Sequence, residues 1–190
     1  MIKDSTVFDE SFHPSIIIGR DEKIKEIASY LRPFAEGRIT KNLYIYGPTG
    51  TGKTTIIKSV LKQFDKKSVY VNCWTNRTSH KIMQEILKQI GYVIHGREST
   101  TDLVNKFETS PKRNIIICLD EVDQLKNFDI FYVFAKNSCC LVLISNNAFN
   151  SSHFDSRVKS RLHFHEIKFE PYEYDHILSI LQNRTSSGLQ

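Results

Sequence analysis

Gly47, Pro48, Thr49, Gly50, Thr51, Gly52, Lys53, Thr54 and Thr55 follow one another in the spacing G-x-x-x-x-G-K-[ST], that of a phosphate-binding loop. Its glycines let the backbone turn successive N–H groups inward around phosphate oxygens. A helix starting under the loop would add its unpaired first-turn N–H groups and the positive end of its dipole. Lys53 brings a full charge toward the β- and γ-phosphates, and Thr54 a hydroxyl for Mg²⁺. Such a site needs a second acidic element, and Asp120-Glu121 at the end of an apolar run supplies it. Asp120 can hold the metal, directly or through water, while Glu121 can orient and activate an attacking water. Together these groups could bind and hydrolyse a nucleoside triphosphate.

Polar residues just past the next apolar run would lie beside the γ-phosphate, because open α/β sheets bind ligands at the carboxyl ends of their strands. Asn146 is the candidate for sensing water or phosphate, with Asn147 as the alternative. Arg157 and Arg161 are four apart in Asp155-Ser-Arg-Val-Lys-Ser-Arg-Leu162, so a helix there puts both on one face. Two guanidiniums side by side suit a phosphate, of a neighbouring subunit's nucleotide or of nucleic acid. Paired with Asp155 and Glu166 they could equally be a solvated ion network worth under ~1 kcal/mol. His163 and His165 have no evident third metal ligand, and Trp74 reads as core or rim packing.

The elements that must position these groups are legible in the spacing of apolar residues. Ile24, Ile27, Ala28 and Leu31 predict a helix from Asp21, ended at Gly37. Strands are expected at Leu43–Tyr46, Ser68–Asn72, Asn114–Asp120, Cys140–Ser145 and about Phe164–Phe169. Helices are expected at about 54–64, from Thr78-Ser79 to Gly91, at about 102–108, 129–136 and 155–162, and from Tyr172 to about Gln182, with 185–190 as a frayed tail. Strands alternating with helices imply right-handed crossovers and a mainly parallel sheet covered on both sides. The fold class is α/β.

The chain has 190 residues, net charge +5, 40% hydrophobic and 25% charged residues, which suits one globular domain and the beginning of another. The excess positive charge permits nucleic-acid contact without arguing for it. No apolar run approaches the roughly 18 residues that span a bilayer, and Met1–Thr6 lacks the apolar segment of a secretory signal. The expectation is a cytoplasmic protein with no membrane partner. Cys73, Cys118, Cys139 and Cys140 lie in or beside predicted strands without a C-x-x-C pair, as buried reduced thiols would.

In this order the motifs resemble the AAA+ ATPases, and among them the archaeal initiators related to the origin recognition complex and the helicase-loading cell division control proteins. The resemblance runs from about Ile16 to Arg184. It rests on Gly19-Arg20-Asp-Glu, the loop at 47–54, Val69-Tyr-Val-Asn-Cys73, Leu119-Asp-Glu-Val-Asp123, Ile144-Ser-Asn146, Ser156-Arg-Val-Lys-Ser-Arg-Leu162, and Phe169-Glu-Pro-Tyr172 leading to Ile180-Leu-Gln-Asn-Arg184. It implies a P-loop NTPase of AAA+ type, a three-layer sandwich around a five-stranded sheet ordered 5-1-4-3-2, that binds ATP or ADP with Mg²⁺. Lys53 and Thr54 then look like Walker A, Asp120 and Glu121 like Walker B, and Asn146 like the first sensor. Arg161, or Arg157, looks like the arginine finger acting on a partner's ATP. Ile17, Ile18 and Tyr172 lie where the family encloses adenine. The segment from about Asn76 to Gly91 looks like the helical element by which initiators touch DNA. The implied partners are duplex origin DNA, the replicative helicase and other AAA+ subunits, and the implied hydrolysis is slow or assembly-dependent. The expected division is a nucleotide-binding core at 1–171, with 1–18 as an arm, then the start of a truncated helical lid at 172–190. Neither the lid's second sensor arginine nor a winged-helix domain is expected in the chain. The alternative reading is a regulatory P-loop ATPase switch of the signalling or defence type.

Overall fold

A computed structural model describes residues 17–38, 41–111, 115–137, 139–148 and 162–188. Its strands are β1 (Asn42–Tyr46), β2 (Ser68–Asn72), β3 (Ile116–Asp120), β4 (Cys140–Ser145) and β5 (Phe164–Lys168). The helices are α1 (Asp21–Ala35), α2 (Lys53–Leu61), α3 (Ser79–Gln89), α4 (Thr100–Glu108), α5 (Ile130–Lys136) and α6 (Tyr174–Gly188). Short 3₁₀ segments follow α2 (Lys62–Lys67) and β3 (Val122–Gln124). The expected helix at 155–162, with Arg157 and Arg161, and the arm up to residue 16 lie outside the described residues.

The sheet order is β2-β3-β4-β1-β5 and all four pairings are parallel, which is the expected 5-1-4-3-2 read from the other edge. A parallel sheet is covered on both faces, so its strands are apolar at both parities. In β3, Ile116 and Cys118 join one buried layer with α1 and α2, while Ile117 and Leu119 join the other with α3, α4 and α5. In β4, Cys140, Val142 and Ile144 face the first layer, and Leu141 and Leu143 the second. The sandwich therefore has three layers.

Local chemistry sets the helix ends. The Thr78 side chain accepts the Lys81 N–H at 3.3 Å, starting α3 where expected. A capping box the sequence reading passed over starts α4: Asp102 N–H donates to Ser99 Oγ at 3.2 Å and Ser99 N–H to Asp102 Oδ2 at 2.9 Å. Ile82, Met83, Ile86 and Leu87 of α3 are fully buried, each contributing about 1.5–3 kcal/mol before conformational entropy is charged against it. From the end of that helix Gln89 covers the edge of the sheet. Its side-chain amide donates to Tyr70 O at 2.7 Å and its Oε1 accepts Tyr70 N–H at 3.0 Å.

The last helix differs from expectation at both ends. It starts at Tyr174 rather than Tyr172, with Ile177 N–H closing the first turn onto Glu173 O at 3.1 Å. It also runs on to Gly188 through residues read as a tail. Thr185 and Ser186, poor helix formers, send their hydroxyls back to Gln182 O and Asn183 O at 3.0 and 2.9 Å.

Candidate functional site

The phosphate loop turns between β1 and α2 beside β5. A Cβ on Gly47 would lie 2.1 Å from the carbonyl oxygen of Phe169, so only glycine lets the loop pass there. Gly52 is left-handed, with φ 85, and hands the chain to Lys53 at the first position of α2. The Lys53 ammonium is nearly buried and donates to Gly47 O at 2.7 Å, Pro48 O at 2.8 Å and Asn146 Oδ1 at 3.2 Å. Burial lowers its pKa below the ordinary lysine value, against the opposing pull of Asp120, Asp123 and Glu121.

Sheet parity decides where Asp120 points. It shares the face of Ile116 and Cys118, the face against which α2 lies, and its Oδ2 accepts the Thr54 hydroxyl at 2.7 Å. The Asp120 side chain is almost wholly buried, and Oδ1 accepts the N–H of Glu121 at 2.9 Å. Glu121 is the one non-glycine residue with positive φ among the described residues, at 55. Held that way, it stores about 1–3 kcal/mol of strain next to the carboxylate. Strain of this size at a strand end is typical of a site where the side chain's direction matters more than the backbone's comfort.

Asn146 reaches Lys53 from the end of β4, and the turn that carries it is tied down on both sides. The Tyr44 and Ser145 hydroxyls lie against each other and both reach Asn147 O, Tyr44 donating to it at 2.7 Å. Burial pushes the Tyr44 hydroxyl up to about 12, so at neutral pH it stays a donor.

These groups line a cleft of about 790 Å³, a size suited to a small-molecule ligand. Apolar side chains form another part of its wall: Ile17, Ile18 and Tyr172, with Ile177, Ile180 and Leu181 of α6. Arg20 secures Tyr172, its guanidinium 4.0 Å from the ring centroid and its Nη2 donating to Glu170 O at 2.6 Å. Pro48, Thr49, Gly50, Thr51, Thr55, Asp120 and Glu121 all border the same space.

Of the two positions open to Trp74, core or rim, the structure takes the rim: it is 55% exposed, with the Arg77 guanidinium 4.4 Å over its ring. The sequence reading assigned no site role to Tyr44, Ser145, Tyr70 or the α6 residues, among them Arg184, which lies on the cleft wall. The helical spacing of Ile177, Ile180 and Arg184 was a usable signal for α6. Nothing local marks Tyr70, whose hydroxyl donates to Asp120 Oδ2 at 2.7 Å. Burial first, and then the Asp120 charge, raise its pKa far above the usual tyrosine value. His165 serves as packing, stacked on Tyr30 at 4.2 Å.

A buried carboxylate oxygen and a hydroxyl 2.7 Å apart at the mouth of a phosphate loop are the hard oxygen donors that Mg²⁺ takes alongside phosphate oxygens. The donor set fits that ion. No helix among the described residues is long and apolar enough to cross a membrane.

Comparison with known proteins places this geometry. A family model described as an AAA domain matches residues 39–151. The ORC1-type DNA replication protein 1 of Halobacterium salinarum is 31% identical over 201 residues, which cover 100% of this chain and 65% of that protein. The protein of the same description from Archaeoglobus fulgidus is 29% identical over 212 residues, covering 100% of this chain and 52% of the relative. Among solved structures, that of the Aeropyrum pernix ORC1 protein in complex with DNA superposes with a TM-score of 0.85 at 26% identity, over 100% of this chain and 55% of that one. The chain thus spans between about half and two thirds of the length of these relatives.

Proposed function

We infer that this chain, which belongs to the AAA domain family, binds ATP in the cleft as part of an ORC1-type DNA replication initiator. The observation that carries the inference is convergence. Lys53, Thr54, Asp120, Glu121 and Asn146 come from three separated stretches, yet Lys53 bonds Asn146, Thr54 and the Glu121 N–H bond Asp120, and all five border one cleft.

In this reading the adenine lies against Ile17, Ile18, Tyr172 and the apolar side of α6, and the phosphates enter the loop from Gly47 to Thr55. Lys53 exchanges its contacts with the Gly47 and Pro48 carbonyls for phosphate oxygens. Thr54 and Asp120 would hold Mg²⁺, which would supply positive charge against the phosphates. Glu121 orients the attacking water and Asn146, fixed through Ser145 and Asn147, meets the terminal phosphate. Arg161, or Arg157, acts on the nucleotide of a neighbouring subunit. Turnover is therefore expected to rise when chains associate, and Arg161→Ala should abolish that rise while leaving the monomer's affinity in place. Residues 172–188 then act as the first part of a lid over the cleft.

Duplex DNA is the proposed macromolecular partner, met through the segment 76–91. Exposed Trp74 with Arg77 stacked on it, and exposed Lys81 and Lys88 on α3, support that face. Names of the relatives favour replication over a signalling or defence switch.

Calorimetric titration with ADP and ATP, with and without Mg²⁺, tests the site. Tight, Mg²⁺-strengthened binding is expected, and absence of binding by the folded chain would sink the reading. The DNA face has its own probe, because Trp74 is the only tryptophan. Duplex DNA should change its fluorescence in a salt-dependent way, and an unchanged spectrum at saturating duplex would remove this face from consideration.

A further inference from the structure

Tyr70 stands on β2, the strand beside the one that carries Asp120, and sheet parity puts its side chain on the face that carries Asp120 and α2. In register it sits opposite Cys118, so Asp120 is two residues ahead on the neighbouring strand. Such a diagonal is within reach of an aromatic side chain and beyond a short one. The hydroxyl donates to Asp120 Oδ2 at 2.7 Å, the same oxygen that takes the hydroxyl of Thr54. The ring is held by Lys58, one turn after Thr54 on α2, whose ammonium lies 4.7 Å from the ring centroid. The backbone is held by Gln89, whose amide closes both hydrogen bonds of residue 70 on the sheet edge. Ring, hydroxyl and backbone are thus fixed by three different elements. A phenylalanine would fill the same space; what the hydroxyl adds is a donor aimed at one carboxylate oxygen.

We propose that Tyr70 is a positioning residue for the nucleotide site, its hydroxyl fixing the orientation of Asp120 so that the Thr54 hydroxyl is free to leave that carboxylate without releasing it. Gln89 is the residue that keeps Tyr70 in place. The proposal rests on the reading of Thr54 and Asp120 as the pair that holds Mg²⁺.

The readout is the ratio of ADP affinity in excess Mg²⁺ to that in EDTA, measured by calorimetry on the wild-type chain, Tyr70→Phe, Asp120→Asn and the double variant. Tyr70→Phe should lower the ratio about tenfold, the scale of one lost hydrogen bond to a charged group. The affinity in EDTA should stay within about twofold, since the loop and Lys53 are untouched by that scale of change. In the Asp120→Asn background the same substitution should change nothing further. An unchanged ratio in Tyr70→Phe, or an equal loss in both backgrounds, overturns the proposal. Should Tyr70→Phe fail to fold, Gln89→Ala on the exposed end of α3 gives the same readout: a ratio lowered about threefold supports the proposal, and an unchanged one overturns it. A wild-type chain with ADP affinity but no Mg²⁺ gain removes the metal-holding pair itself, a failure distinguishable from that of Tyr70.

Discussion

Tyr44 and Tyr70 do the same geometric job on opposite faces of the sheet. Each stands on a strand whose neighbour carries a functional residue just past the paired register, and each reaches two residues ahead along that neighbour: Tyr44 to Ser145, Tyr70 to Asp120. The surroundings differ. Tyr44 is 1% exposed among α3–α5 side chains and braces a neutral turn, through Ser145 and the Asn147 carbonyl. Tyr70 is half-buried at the edge of the α1–α2 layer and braces a carboxylate. The two partners are equally buried, Ser145 at 4% and Asp120 at 2% exposed, so what separates the two braces is the charge of the group each one holds.

The largest effect is expected where the two braced strand ends meet. Lys53 touches Asn146 directly and feels the charge of Asp120 across the cleft. Lys53→Ala should weaken ATP binding about a hundredfold by calorimetry, as loss of charge-assisted phosphate contacts implies. Unaltered affinity would remove the phosphate-loop assignment, and with it any reason to compare the braces as parts of one site.

Next comes the comparison itself. Tyr44→Phe leaves the Ser145 hydroxyl on the Asn147 carbonyl and removes only neutral contacts, and should cost about 0.5–1.5 kcal/mol in denaturant unfolding. Tyr70→Phe removes a donor from the nearly buried Asp120 carboxylate and should cost about 1.5–3 kcal/mol, the scale of a hydrogen bond to a charged group. Equal costs would break the distinction between a brace on a neutral turn and a brace on a carboxylate.

The smallest effect sharpens the same point from the backbone. Glu121 sits at φ 55, a conformation glycine adopts freely. Glu121→Gly should raise stability by about 1 kcal/mol in the same unfolding experiment while ATP turnover falls. A fall in stability would mean that the Glu121 side chain contributes more to the fold than its conformation costs.

Much of this architecture was legible before any coordinates. The glycines, Lys53 and Thr54 of the loop, the apolar runs of β3 and β4, and the periodicity of α1 and α3 are local patterns, and local patterns follow from backbone geometry. Asn146 could be placed because strand ends in a parallel sheet share one edge. The α6 boundary was misplaced because hydroxyl groups of Thr185 and Ser186 that could end a helix turn back onto its carbonyls instead. Core and rim stayed open for Trp74 because its aromatic character says nothing about which way a loop faces.

By itself, then, the sequence determined the element types, the phosphate loop and the acidic strand end, since each depends on residues within a turn or a strand of one another. The tertiary structure alone decided which oxygen of Asp120 is held and by whom. Tyr70, Thr54 and Asp120 are separated by 50 and 66 residues along the chain. They meet only because strand order, parallel register and side-chain parity bring β2, β3 and α2 to one face.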